Sequence, residues 1–248
     1  MWDAELYNRF ERERSQPSKD LVSRLADGEF RRILDAGCGT GLSTAALVAV
    51  FPSAEVVGLD LSPEMLKKAR KSLPGSVFLE QDCGKPFDGL GTFDLVFSNA
   101  LMQWLPDPKV FLRNSFHALL EGGKFAAQIP LFSEMPADGC IRHAAADFGL
   151  EERNFSEWNA GAYYDEMSDI FKKIEIWVTD YMHVMRCAQE ILEFLSGTAL
   201  RPYLEKLDAE RGTVFRARVL DNLKKVYPAR ADGKVLFPFR RLFVMGVK

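Results

Sequence analysis

The sequence predicts an α/β protein built on a doubly wound, mostly parallel sheet, and three observations predict it. Short apolar runs alternate with helical patterns five times between residues 31 and 130. The first run leads through a glycine-rich turn, Gly37-Cys38-Gly39-Thr40-Gly41, directly into a helix. The fourth, Thr92 to Asn99, is almost continuously apolar, as a parallel strand buried on both faces requires. Ligands of such sheets bind outside the carboxyl ends of the strands, so the residues that close each strand are the site candidates.

Taken in order, residues 1–30 carry a helical pattern, with Tyr7, Phe10, Leu21, Val22 and Leu25 as apolar positions and Pro17 suited to the first turn of a helix starting after Ser15. This segment is either a helix packed on the sheet or a lid that brings Tyr7 and Arg14 over the cofactor. Ile33 and Leu34 form the first strand, and Leu42 to Val50 the first crossover helix. Glu55 to Asp60 form the second strand, and Ser62 caps a helix that has Pro63 in its first turn. Val77 to Glu80 are the third strand, closed by Gln81-Asp82-Cys83. The fourth strand brings Asn99, Gln103 and Trp104 to the cleft edge. A helix from Asp107 to Leu120 is stopped by Gly122-Gly123, and a fifth strand, Lys124 to Ile129, carries Gln128 to the same edge.

From Pro130 the pattern changes. Residues 131–160 hold helical pieces, 161–171 another helix, and Lys173 to Met182 a half-buried strand. Residues 187–227 form two or three helices, and Lys234 to Val247 a final strand, which brings the strand count to seven. The 187–227 insertion is too long for a hairpin connection and predicts a cap, together with 131–172. The expected organisation is one domain: an N-terminal lid (1–30), a cofactor-binding core (31–130), cap elements (131–172 and 187–227) and a last strand (234–248).

The bulk composition of the 248 residues narrows the function. A formal charge of -3 argues against nucleic acid held by a broad basic face. No apolar run reaches the roughly 18 residues that span a bilayer, and the acidic N-terminus is unlike a signal, so a cytoplasmic protein is expected. The four cysteines make no Cys-x-x-Cys pair and the three histidines no metal spacing, so reduced thiols and no metal are expected.

Two cofactor classes compete for the glycine turn. A dinucleotide fingerprint wants Gly-x-Gly-x-x-Gly, whereas Gly37, Gly39 and Gly41 give Gly-x-Gly-x-Gly. Asp35 before the first glycine would repel a pyrophosphate but attract the cationic end of an amino-acid moiety. Asp60, at the end of the second strand, is placed to accept both hydroxyls of a ribose. Asp82 can receive an adenine amino group. With Asn99, this acidic edge suits a sulfonium and an ammonium better than two phosphates.

Leu34-Asp35-Ala36-Gly37-Cys38-Gly39-Thr40-Gly41, then Asp60 with Leu61-Ser62-Pro63, then Asp82, then Phe93-Asp94-Leu95-Val96 with Asn99, resemble the successive motifs of class I methyltransferases. Further stretches resemble the trans-aconitate 2-methyltransferase family. They are Leu6 to Phe10 with Glu13 to Pro17, Gln103 to Asp107, Gly197 to Pro202, and Phe237 to Val244; Gln16 stands where that family implies a basic residue. The resemblance implies a Rossmann-like fold and methyl transfer from S-adenosylmethionine to a carboxylate of a small polycarboxylic acid. The products would be a monomethyl ester and S-adenosylhomocysteine. The other functions left open are a methyltransferase of the same fold with a different acceptor and a non-catalytic adenosylmethionine-binding protein. The expected cofactor residues are Tyr7, Arg14, Asp35, Gly37, Cys38, Gly39, Asp60, Leu61, Asp82, Cys83, Asn99 and Gln103.

A carboxylate with a pKa of about 4 is ionised at neutral pH and needs no general base. Catalysis then rests on positioning, and no triad or His-Asp pair is expected. A polyanion does need local cations, for which guanidinium forks are suited. Arg201, Arg240 and Arg241 are the candidates, joined by His183, Tyr163, Trp104 and Gln128. Each arginine is as readily a salt bridge in the cap, His183 a hydrogen-bonded structural residue, and Trp104 and Tyr7 core aromatics. The expected partner is a small carboxylic acid, and the expected state a monomer or weak homodimer.

Overall fold

A computed structural model describes residues 10–150 and 158–248. Its centre is a seven-stranded sheet in the order β3-β2-β1-β4-β5-β7-β6. The strands are β1 (Arg32–Ala36), β2 (Glu55–Asp60), β3 (Val77–Glu80), β4 (Phe93–Asn99), β5 (Leu119–Pro130), β6 (Lys173–Met185) and β7 (Val235–Val247). β1 to β5 pair in parallel, and β7 runs antiparallel to β5. Chain order reverses between β1 and β4, which is the switch point where such sheets open a crevice. The registers bring Asp60 level with Glu80 and Asn99 level with Gln128, so the polar residues that close the strands line one sheet edge.

The helices are α1 (Glu11–Arg24), α2 (Leu42–Val50), α3 (Pro63–Ser72), α4 (Pro108–Ala118), α5 (Pro136–Asp147), α6 (Ala160–Ser168), α7 (Ala188–Ser196), α8 (Arg201–Leu204) and α9 (Ala209–Val226). Their starts follow local chemistry. Ser62 Oγ accepts from Met65 N–H with Pro63 in the first turn, and Asp107, Asn159 and Asp208 cap α4, α6 and α9 in the same way.

Several boundaries differ from those expected. α1 begins at Glu11 and not after Ser15, so Pro17 lies inside it. Pro17 is itself buried, with Ser15, Ser18, Leu21 and Val22 buried around it, and this packing outweighs the lost backbone hydrogen bond. α4 ends at Ala118, ahead of Gly122-Gly123, which lie inside a longer β5 beside a register shift between Phe93 and Leu95. The glycine pair is thus a strand irregularity and not the helix stop. α6 spans Ala160–Ser168 where 161–171 was expected, and β6 runs on to Met185.

By its internal contacts the chain divides into two compact units. The sheet unit comprises Ser15–Pro130, Phe155–Thr179 and Arg241–Lys248; its strands bury Ile33, Leu34, Leu59, Leu95, Val96, Phe97, Phe125 and Val244. The second unit comprises Met1–Arg14, Leu131–Asn154 and Asp180–Arg240, so 155–172, expected among the cap elements, group with the sheet instead. It has its own core, in which Ile141, Ile191, Leu195, Phe215, Val219 and Phe237 are buried together. Among the described residues no helix is long and apolar enough to cross a membrane, and no cluster of His, Cys, Asp and Glu could hold a metal ion.

Candidate active site

The glycine turn between β1 and α2 is fixed from both sides. Gly37 and Cys38 N–H groups each donate to Leu59 O at 2.8 Å, and Gly39 N–H donates to Asp60 Oδ2 at 2.9 Å. Gly37 has φ +75°, and a Cβ there would lie 2.9 Å from Leu101 Cβ, so this position is closed to any side chain. Gly39 has φ +55° and nothing within 4 Å of the position a Cβ would take. At Gly39 the bare backbone faces open space. A ligand approaching the turn would occupy that space.

Asp35 is the most strongly perturbed acid of the turn. It has no exposure, and Ser43 and Thr44 at the start of α2 donate their hydroxyls to its Oδ2 at 2.8 and 2.6 Å. Its Oδ1 is buried with no partner among the described residues. Burial pushes its pKa up to about 6, the two hydroxyl bonds pull it down, and the nearby Asp60 charge adds to the rise. Since the folded value exceeds the ordinary 3.8, the folded state holds the proton more tightly, and ionising Asp35 costs stability as pH rises through that window. Asp35→Asn should therefore gain on the wild type by roughly 3 kcal/mol between pH 4 and pH 7, then level off. Urea unfolding of both proteins across that range checks this; a constant difference would show that Asp35 is not the desolvated acid described.

Asp60 Oδ1 accepts from Ser62 N–H at 2.9 Å, an Asx turn that leads into α3, while its other oxygen holds Gly39. Asp82 Oδ1 accepts in the same manner from Gly84 N–H at 2.8 Å. Leu61 between them is 66% exposed, an apolar side chain at the rim. Cys38 and Cys83 are buried. Desolvation by that burial and the surrounding carboxylates raise the Cys38 thiol and push Cys83 up to about 12, so neither is a nucleophile at neutral pH.

Past β4 the chain makes a tight turn. Ala100 has φ +56°, a left-handed conformation that costs a non-glycine residue roughly 1–2 kcal/mol, and its N–H donates to Gln128 O at 2.9 Å. Gln103 Nε2 donates to Ala100 O at 2.7 Å. Asn99 Oδ1 and Gln103 Oε1 are buried without partners among the described residues. With Asp35 Oδ1, three buried oxygens lie unpaired at the β1 and β4 ends. Such acceptors call for a donor-rich ligand, with ammonium and hydroxyl groups, and oppose a pyrophosphate.

The candidates expected to meet an acceptor separate into two sets. In the sheet unit, Gln128 Oε1 accepts from Arg241 Nη1 at 3.2 Å, both side chains are buried, and Gln128 Nε2 has no partner among the described residues. Trp104 is half-exposed on a turn of 3-10 helix, Met102–Trp104. Tyr163 has no exposure and its ring packs edge-on against Trp158 at 5.1 Å, so it is a core residue and not a surface for substrate. In the second unit, Arg201 is exposed and pairs with Glu205 at 2.7 Å. Arg240 is held in a fork by Asp180 at 2.9 Å through both Nε and Nη2, with Glu134 at 3.3 Å. Both guanidinium groups thus already have carboxylate partners, the salt-bridge alternative expected for each. His183 lies among the rings of Tyr181, Phe194, Phe237 and Phe239, an aromatic cluster. Arg14 Nη2 donates to Phe194 O at 2.8 Å within the same unit. Tyr7 lies outside the described residues.

Ser43, Thr44 and Ala100 were not singled out by sequence. The two hydroxyls had a signal, polar residues one turn into a helix beginning at Leu42. Ala100 had none, since nothing about an alanine points to a left-handed turn.

Residues 34–127 match the family described as Methyltransferase domain. Among solved structures, the YcgJ protein of Bacillus subtilis superposes with a TM-score of 0.62 at 15% identity, over 94% of this chain and 98% of that one. Geranyl diphosphate methyltransferase in complex with S-adenosylmethionine superposes at 0.59 and 16%, over 98% and 89%. Likeness at that identity speaks for the fold alone, while the family match, with the glycine turn and its acidic strand ends, makes this a class I methyltransferase with S-adenosylmethionine as cofactor. Trans-aconitate 2-methyltransferase of Rhodopseudomonas palustris (strain BisB18) is 38% identical, covering 100% of this chain and 99% of its own length. The proteins of that name from Azoarcus sp. (strain BH72) and Klebsiella pneumoniae (strain 342) are 37% and 35% identical, again over all of this chain. The chain belongs to the trans-aconitate 2-methyltransferase family.

Proposed function

We propose that the protein transfers a methyl group from S-adenosylmethionine to one carboxylate of trans-aconitate or a closely similar polycarboxylate. The products are a monomethyl ester and S-adenosylhomocysteine. The observation that carries this reading is the end-to-end identity with relatives of that name, 34–38% over at least 98% of the chain.

When bound, S-adenosylmethionine supplies an electrophilic methyl carbon on a sulfonium. The chain's residues bind, orient and exclude water. Asp60 has a lone pair left on each oxygen after holding Gly39 and Ser62, and these accept the ribose hydroxyls. Asp35, Asn99 and Gln103 offer their unpaired oxygens to the donor groups of the amino-acid end. Asp82 and Leu61 serve the adenine, one by accepting from its amino group and the other by apolar contact. The acceptor carboxylate is already ionised, so no side chain has to remove a proton. Gln128 Nε2, beside the Arg241 guanidinium, is the donor pair that orients it. Most of the rate gain then comes from alignment, which contributes several kcal/mol when reacting atoms are held about 3–3.5 Å apart.

The reading takes a free small acid as partner and a monomer or weak homodimer as the working form. The net charge of -3 supports it, since a nucleic-acid acceptor would call for a broad basic face. The free thiols at Cys38, Cys83, Cys140 and Cys187 suit the reducing cytoplasm. The test is transfer of labelled methyl to a panel of mono-, di- and tricarboxylates. Base-labile label on the tricarboxylates is expected, and transfer to none of the acids would reject the reading.

A further inference from the structure

Two hydroxyls in the first turn of α2 serve an acid outside their own helix. A helical Ser or Thr can bond the carbonyl one turn back. Ser43 and Thr44 donate instead to Asp35 Oδ2 at the end of β1, at 2.8 and 2.6 Å. All three side chains are buried. Asp35 thus receives two bonds on one oxygen, while its buried Oδ1 has no partner among the described residues.

The charge of this acid is a balance. Burial and the Asp60 carboxylate at the end of β2 oppose ionisation, and the two hydroxyl bonds favour it, Thr44 more than Ser43. Its other titratable neighbours are the thiols of Cys38 in the turn and Cys83 after β3, both pushed up by burial and uncharged at neutral pH. With the balance at about 6, Asp35 is mostly ionised at pH 7 and mostly neutral at pH 5. A hydrogen bond to a charged group moves such a transition by about one to two pH units. Without one of the hydroxyls, the transition would therefore fall at or above neutral pH. Docking α2 on β1 needs the bonds but not the charge, since Oδ2 accepts from hydroxyls in either protonation state.

We propose that Thr44 and Ser43 are positioning residues for the methyl donor: acting through Asp35, they keep a negative charge at the glycine turn that attracts the cationic groups of S-adenosylmethionine. The proposal rests on the reading of the turn as the S-adenosylmethionine site. A buried carboxylate is poorly screened, so it acts on a cation held at the turn with or without direct contact. The cation in turn favours ionised Asp35. Affinity is therefore full where Asp35 is already ionised in the free protein, and it declines as pH falls and the acid takes up a proton.

The test follows S-adenosylmethionine affinity by titration calorimetry from pH 5 to about pH 8, where the ligand's own α-amino group begins to lose its proton. Wild-type affinity should fall about tenfold between pH 7 and pH 5. Thr44→Val, which removes the hydroxyl and keeps the branched shape, should move this decline up by about one to two pH units. Its binding is then about two- to tenfold weaker than wild type at pH 7 and within about twofold at pH 8. Thr44→Ser should restore the wild-type profile, and Ser43→Ala should shift it the same way by less. Should Thr44→Val fail to fold, Ser43→Ala carries the same test. A loss equal at every pH would show a structural role and overturn the assignment, as would variant profiles that match the wild type. A wild type that binds no S-adenosylmethionine at any pH rejects the cofactor site and this inference with it. The shifted profile in a protein that methylates no acid would uphold the role of Thr44 and Ser43 while rejecting the reaction.

Discussion

Asp60→Ala is expected to weaken S-adenosylmethionine binding by about two orders of magnitude, the loss of two charge-assisted hydrogen bonds to the ribose. The side chain has a second task. Its two oxygens hold Gly39 N–H and Ser62 N–H at 2.9 Å, tying the glycine turn to the start of α3. The alanine variant therefore also loses the anchor that fixes the turn, and its melting temperature should fall by several degrees. Asp60→Asn retains one acceptor oxygen and should lie between the two. Calorimetry with S-adenosylmethionine, beside thermal melting of the free proteins, separates the roles. Affinity unchanged in the alanine variant would remove Asp60 from the cofactor site.

The second large effect concerns the glycines of the turn, which the structure distinguishes although the sequence repeats them evenly. Gly37→Ala places a Cβ 2.9 Å from Leu101 Cβ at φ +75°, so a left-handed penalty adds to a clash with atoms that have no flexible end to move. The expected loss is about 2–4 kcal/mol of folding stability. Gly39→Ala meets nothing within 4 Å and sits at φ +55°, so its cost to folding is limited to about 1 kcal/mol of backbone strain. That methyl instead fills the space through which a ligand reaches the turn. Gly37→Ala should unfold at lower denaturant concentration, while Gly39→Ala should melt near the wild type and bind S-adenosylmethionine at least tenfold more weakly. The reverse pattern would place the ligand on the other side of the turn.

The legible part of the fold was the part decided by local chemistry. The alternation of strand and helix, the caps at Ser62 and Asp107, and the strand ends at Asp60 and Asn99 all follow from residue type and spacing. Where packing outweighed propensity, sequence reasoning placed boundaries wrongly. Pro17 inside α1 and the glycine pair inside β5 are the two cases. The site divides in the same manner. Asp35 and Asp60 stand out in the sequence because their position relative to the glycines defines them, yet Asp35's second role, gripping Ser43 and Thr44, depends on how α2 docks. Arginines carry no such address: Arg201 and Arg240 pair with carboxylates, one of them distant in sequence. Tyr163 shows the same limit, since its complete burial, with the Trp158 ring edge-on against it, is set by packing and not by residue type.

The central claim is methyl transfer to an acid that needs no activation by the protein. Incubation of the protein with methyl-labelled S-adenosylmethionine and trans-aconitate, followed by mild base, tests it most directly. Label in a monomethyl ester that base releases as methanol, formed at a rate flat from pH 7 to pH 9, is the predicted result. No label in trans-aconitate or in any tricarboxylate, or label that resists base, would contradict it.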